Sequence, residues 1–342
     1  MKKVFLSYTA KLRLKKALKI IGIVVAAILL LLIMRFVYLQ RFVVYDENGV
    51  HLEYDRIDTG VQQETVPPTG EFVLEQESAV GETIEAPVEG KLSALKGIYL
   101  TYEQVLDEEI RAAVTEKLED ATALLMDVKT PTGKYLYATA LPGTDRSQTD
   151  LTQWIRELSK RHDLTLVARL PAFSDSAHAL IDFSQSLPIK GGALWMDKNG
   201  SYWLDPAGED VAEYLVSQAR ELYQLGFDEI VFDGFDFPDS VNIVYPSSPG
   251  GDEAMLACAQ EVAKQVQDYE IPVSFISQTS QIIGLSSRAF IAAETGEMVS
   301  QTVREYSLLL PGNDARLVFL TASRDTRFET YSVLSPFTME EE

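Results

Sequence analysis

Cysteine, histidine and positive charge are all scarce in this chain. A lone Cys258 among 342 residues cannot form an intramolecular disulfide, which excludes a disulfide scaffold and a cysteine-cluster metal centre. His51, His162 and His178 are too few for a histidine-rich metal site. The Asp233, Asp236 and Asp239 spacing lacks the other positions of a calcium loop, so no metal is expected. Neither G-x-G-x-x-G nor a P-loop motif occurs, and no nucleotide cofactor is expected. Basic residues number 30 against 51 acidic, a formal charge of −21. Phosphate neutralisation by Lys and Arg dominates nucleic-acid affinity, so a nucleic-acid partner is excluded.

The few basic residues are concentrated at one end. Residues 1–41 hold nine of them and no acidic residue; the other 301 residues carry 21 basic and 51 acidic side chains, a net of −30. Ile20–Met34 is an uninterrupted apolar run of 15 residues, which Phe36–Leu39 extends past Arg35. Residues 20–39 thus approach the ~20 residues of a membrane-spanning helix, with Arg35 snorkelling to the interface. A cleaved signal peptide needs small residues at the cleavage site. Here the run is followed by the bulky Arg35-Phe36-Val37-Tyr38-Leu39-Gln40-Arg41, so an uncleaved signal anchor is expected. Seven basic residues precede the run, which leaves residues 1–19 in the cytoplasm and places the rest outside a single-pass cell-membrane anchor.

Residues 40–91 read as a hairpin around Asn48-Gly49, followed by an acidic, Pro- and Thr-rich extended tether. From residue 92 to 342, short apolar runs alternate with amphipathic stretches. Candidate strands are Gly97–Thr101, Ala123–Val128, Leu164–Leu170, Gly192–Met196, Glu229–Asp233 and Pro272–Ser277, with two or three more among Ala289–Glu294, Tyr306–Leu310 and Arg316–Thr321. Candidate helices are Tyr102–Glu119, Asp150–Arg161, Ala207–Leu225 and Asp252–Asp268. Uniformly apolar strands between helices predict a parallel sheet covered on both faces. About eight strands in this length fit an α/β (β/α)8 TIM-like barrel; a doubly wound open sheet is the alternative.

In such a barrel the residues at C-terminal strand ends face the active site. The candidate set is Asp127, Lys129, Arg169, Trp195, Asp197, Trp203, Asp205, Asp233, Asp236, Gln278 and Glu294. Paired carboxylates suit glycosidic-bond cleavage, one acid protonating the leaving oxygen and one carboxylate activating water or attacking directly. Asp127, Asp233 and Asp236 are the catalytic candidates, and the others are candidates for substrate contact. Several have a simpler role open to them. Arg169 is either a substrate clamp or the partner of Asp127. Asp236 either reacts or braces its loop. Asp205-Pro206 suits the start of the following helix. Trp195 and Trp203 either stack on sugars or pack. Glu229 begins its strand, at the wrong end for chemistry. His162 and His178 are expected at the surface, and Cys258 in the core.

These segments resemble a known family. Lys96–Thr101 (KGIYLT), Ala123–Gly133 (ALLMDVKTPTG), Leu164–Asp175 (LTLVARLPAFSD), Ala193–Pro206 (ALWMDKNGSYWLDP) and Glu221–Pro238 (ELYQLGFDEIVFDGFDFP) are similar to the bacterial putative glycoside hydrolase domain, found in envelope and secreted proteins. The resemblance implies a TIM barrel that hydrolyses a polysaccharide or cell-wall glycan, with Asp233 at the family's strand-end Asp and Asp127 in its Asp-Val-Lys motif. One departure stands out. Where the family has Tyr-Ile-Arg-Phe-Pro after that Asp, this chain has Gly234-Phe235-Asp236-Phe237-Pro238. The altered charge motivates one alternative, a barrel that binds glycan without cutting it; a scaffold for envelope proteins is the other alternative.

Overall fold

The computed structural model describes residues 43–46 and 49–52 by their backbone, and residues 92–118 and 121–339 in full. The chain divides into two units between Ala79 and Val80. In the first, β1 (Val43–Asp46) and β2 (Gly49–Leu52) pair antiparallel, from Val43 opposite Leu52 to Asp46 opposite Gly49, as the Asn48-Gly49 signal predicts. The anchor at residues 20–39 and the acidic tether lie outside the described residues. Among the described residues no helix is long and apolar enough to cross a membrane.

The second unit holds eight parallel strands: β3 (Lys96–Leu100), β4 (Ala123–Asp127), β5 (Thr165–Pro171), β6 (Glu229–Asp233), β7 (Val273–Phe275), β8 (Ala289–Ala292), β9 (Leu317–Leu320) and β10 (Ser332–Pro336). Their order in space is β7-β6-β5-β4-β3-β10-β9-β8, so the first and last strands of the unit lie side by side and the sheet curls into a nearly closed barrel. The β7–β8 seam has no regular ladder. It is bridged by the Ser287 N–H on the Val273 carbonyl (2.8 Å), the Phe275 N–H on Ser286 Oγ (2.9 Å) and the Arg288 N–H on Ser274 Oγ (3.0 Å). Serine hydroxyls there satisfy backbone donors that the ladder leaves unpaired.

Strand alternation divides the core. Leu95, Ala123, Leu125, Val167, Val231, Phe290, Val318 and Leu334 form one buried cluster inside the barrel. Leu124, Leu166, Ile230 and Phe232, on the alternate positions, pack outward against helices. Gly97 faces Ala123 so closely that a Cβ would collide with its carbonyl oxygen. Because backbone cannot rotate away, Gly97→Ala is expected to cost at least the usual ~1–3 kcal/mol of overpacking, read as a lowered urea midpoint.

The helices follow their apolar stripes. Helix α1 (Tyr102–Leu106) and α2 (Glu108–Lys117) replace the single helix expected over Tyr102–Glu119. Asp107 adopts extended backbone between them and accepts hydrogen bonds from the Glu109 and Ile110 N–H groups, capping α2. Helix α3 spans Thr152–Leu158, and α4 is the short Ser176–Ala179. Helix α5 (Val211–Leu225) buries Val211, Leu215, Ala219 and Leu222 and stops at Gly226, whose φ of 119° only glycine adopts readily. Helix α6 (Gly251–Gln267) buries Met255, Cys258, Val262 and Val266, with Cys258 in the core as expected. Helix α7 is Ser280–Gly284 and α8 is Val299–Leu309.

Three strand expectations need correction. Gly192–Met196 is no barrel strand. It makes local bridges, Pro188 with Leu194 and Met196 with Tyr202, in the long loop between β5 and α5. Its extended geometry is right, but nearby loop residues supply its partners. Tyr306–Leu310 is mostly the end of α8, where the apolar spacing of Val299, Val303, Tyr306 and Leu309 follows a helix period. The eighth strand is instead Ser332–Pro336 (SVLSP), whose serines and proline break the apolar pattern; Ser332 and Leu334 are buried, and β9 and β3 flank it.

Candidate active site

On β4, β5 and β6 the inward face ends, at the C-terminal tip, in a half-buried charged residue at the barrel mouth. On β4 the inward residues are Ala123, Leu125 and then Asp127; on β5 Val167 and then Arg169; on β6 Val231 and then Asp233. Asp127 and Arg169 are paired in register, and Asp233 lies beside Pro171. Tyr99, Ile276 and Leu320 complete the floor of this bowl. The charged groups of the pocket here, Asp127, Lys129, Arg169 and Asp233, come from β4 to β6 and the loop after β4, while Ile276 and Leu320 are apolar.

Asp127 is held by three hydrogen bonds from two groups. Arg169 donates Nε to Oδ1 at 2.6 Å and Nη2 to Oδ2 at 3.1 Å, a bidentate pair, and the Tyr102 N–H donates to Oδ2 at 3.0 Å. Asp233 shares a pocket of about 120 Å³ with Asp127, Arg169 and Pro171. Burial raises its pKa above the ordinary carboxylate value; the charges of Asp127 and Asp236 push the same way, and Arg169 opposes them. One carboxyl is thus biased towards the protonated form beside another clamped by a guanidinium.

The remaining candidates divide. Asp236 accepts from Ser277 Oγ and from the Gln278 N–H, both at 2.8 Å, and so ties the loop after β6 to the loop after β7; the Gln278 side chain is exposed. Lys129 lines the same pocket, yet its side chain is wholly buried, 2.8 Å from Asp175 Oδ2. That oxygen also accepts from Tyr214 OH, which bonds Tyr135 OH, each at 2.8 Å. Lys129 thereby locks the loop that follows β4. Trp203 lies beside Gly234, next to Asp233, and donates its indole N–H to Asp197 Oδ2 at 3.0 Å. Trp195 meets Trp203 edge to face at 5.4 Å between centroids. Asp205 does not start a helix, since α5 begins at Val211; it accepts from Tyr245 OH (2.8 Å) and the Ala207 N–H (2.9 Å) in a tight turn. Glu294 follows β8 and is exposed.

Two further findings concern residues at the edges of this set. His178 is not a surface side chain: it is half-buried and stacks on Tyr214 at 3.7 Å, and burial lowers its pKa. A larger cavity, about 430 Å³, lies beside it between Pro142, Gln185 and Glu213 and takes in none of the bowl carboxylates. Asp175 and Tyr214 had no sequence signal, because their role depends on a lysine 46 and 85 positions away. His162 is exposed, and Glu229, at the bottom of β6, pairs with Arg288.

A family model described as a putative glycosyl hydrolase domain matches residues 97–304, well over half of the chain, a span that includes Asp127, Arg169 and Asp233. The chain belongs to this family. Its barrel also resembles solved structures. A cycloalternan-degrading enzyme from Trueperella pyogenes superposes with a TM-score of 0.52 at 10% identity, covering 76% of this chain and 45% of that one. An alpha-L-fucosidase isoenzyme 2 from Paenibacillus thiaminolyticus gives 0.51 at 10% identity, covering 72% and 46%. At such identities the likeness is one of fold, and this chain spans less than half of either protein. A hypothetical protein from Ruminiclostridium thermocellum is 22% identical over 54% of this chain and 98% of that chain, with a TM-score of 0.47. No curated protein matches the chain.

Proposed function

We propose that this protein is a membrane-anchored glycoside hydrolase that cuts a polysaccharide outside the cytoplasm. The observation that carries the reading is the pairing of unlike carboxyls at one barrel mouth: Asp233, which burial favours in its protonated form, and Asp127, clamped by Arg169. Asp233 gives its proton to the glycosidic oxygen as the bond to the anomeric carbon breaks, and the leaving sugar departs with the bonding electrons. Asp127 takes a proton from the water that adds to that carbon, or attacks it directly and is later released by water. Trp203, beside Gly234, offers an apolar face for the sugar ring.

The full chain in detergent, incubated with a panel of cell-wall and capsular glycans, is expected to release reducing sugar. Binding without release would instead favour a non-cutting barrel, the reading that Asp236, engaged with Ser277 and Gln278 where the family has Arg, supports. The anchor reading rests on residues 20–39 and the positive charge before them. Protease added to intact spheroplasts should remove the barrel from the membrane fraction; full protection would refute the orientation.

A further inference from the structure

We propose that the rim built from the loops after β5 and β6 is a second sugar-binding subsite, distinct from the bowl, so that the enzyme grips a glycan chain rather than a single terminal sugar. This rests on the hydrolase reading above and names the form of its substrate. The rim is a preformed unit. Residues 187–195 fold back on themselves, with the Ile189 N–H on the Ala193 carbonyl and the Trp195 N–H on the Leu187 carbonyl, both at 2.8 Å. The loop after β6 then lies across it, the Val244 N–H on the Pro188 carbonyl at 3.0 Å and Trp195 Nε1 on Ser240 Oγ at 3.1 Å. These bonds hold apolar side chains in solvent: Met196 is 47% exposed and Val244 53%. Between the two loops is a pocket of about 280 Å³ lined by Ile189, Leu194, Trp195, Met196, Lys190 and Asn242. An apolar floor with amide and ammonium groups at its edge matches the two kinds of surface on a sugar, its C–H face and its hydroxyl rim.

What commits the pocket to the same glycan is its continuity with the bowl. Asp233 is followed by Gly234, Gly234 lies against Trp203, Trp203 meets Trp195 at 5.4 Å, and Trp195 forms one wall of the pocket. Two tryptophans in contact thus link the residue after Asp233 to the wall of the rim pocket. A rim already ordered loses little freedom on binding, so its contacts translate into affinity for longer chains.

The test uses the full chain and the glycan that gives release in the panel, reduced by partial acid hydrolysis to oligosaccharides of two and six residues. The kcat/KM ratio of hexamer to dimer is expected to be roughly tenfold or more, the effect of burying one further apolar ring face. Asn242→Ala and Met196→Ser, both on exposed side chains that the fold does not need, are expected to lower that ratio about as much, chiefly through KM. Release with a ratio near one, or a ratio unmoved by either variant, overturns the subsite and leaves the hydrolase reading standing. No release from any glycan overturns both.

Discussion

Asp233→Asn is expected to lower sugar release by at least about a hundredfold, and by up to ~10⁴, the range general acid catalysis contributes. The variant keeps the shape of the side chain and removes the titratable proton that general acid catalysis needs. Retained activity would remove Asp233 from the mechanism. The pH dependence has a definite sign. Burial, reinforced by Asp127 and Asp236, raises the folded-state pKa of Asp233, so wild-type activity should fall as pH rises through that value. The same shift acts on stability. A carboxyl whose folded pKa is raised binds its proton more tightly in the folded state. Its contribution is therefore present below the unfolded pKa and lost as pH rises through the folded one. Asp233→Asn, which carries no charge to bury, should unfold at a higher temperature than wild type at neutral pH. The difference should close on acidification towards the ordinary carboxylate range. Melting curves for both proteins from about pH 3 to 8 would check this. A difference that widens in acid would show that Asp233 is stabilised as a carboxylate.

The largest stability effect is expected at the opposite end of the barrel. Arg288 is 1% exposed and donates Nε and Nη2 to the two oxygens of Glu229, each at 2.7 Å. It also donates to the Ala315 carbonyl, so one guanidinium joins the base of β6 to the segments entering β8 and β9. Ser332 Oγ binds that same carbonyl at 2.9 Å and accepts the Leu95 N–H at 3.0 Å. Arg288→Met leaves the buried Glu229 carboxylate without its partner, which costs about 3–5 kcal/mol at such sites. A urea titration should show this as a fall in the unfolding midpoint. Glu229→Gln combined with Arg288→Met should recover much of the loss, because neither charge then remains buried. If the double variant is no better than the single, the hydrogen bond to Ala315 rather than the ion pair dominates.

The parallel strands from β3 to β9 were legible wherever an apolar run was long enough to be buried on both faces. Ala123–Asp127 and Glu229–Asp233 are examples, and the Asp at each tip was legible as a mouth residue for the same reason. Gly192–Met196 shows the limit: a run of apolar residues states that a segment prefers extended backbone, and not which neighbour it pairs with. Ser332–Pro336 shows the converse, a strand made by its flanking strands rather than by its own composition. Lys129 was a candidate substrate ligand because it lies at the C-terminal end of the strand that carries Asp127. Its burial against Asp175 depends on a loop that begins after another strand.

The sequence by itself determined the charge partition, the parallel α/β class, the family resemblance and the strand-end carboxylates. Each of these depends on residues close together in the chain, through period, run length or local motif. Only the tertiary structure decided how those carboxylates differ. Asp127 takes its clamp from Arg169, 42 residues away, and the elevated pKa of Asp233 comes from the depth at which the barrel places it. Desolvation and Coulomb interaction depend on distance in space, which a list of residues does not contain until the sheet curls and brings β4, β5 and β6 together.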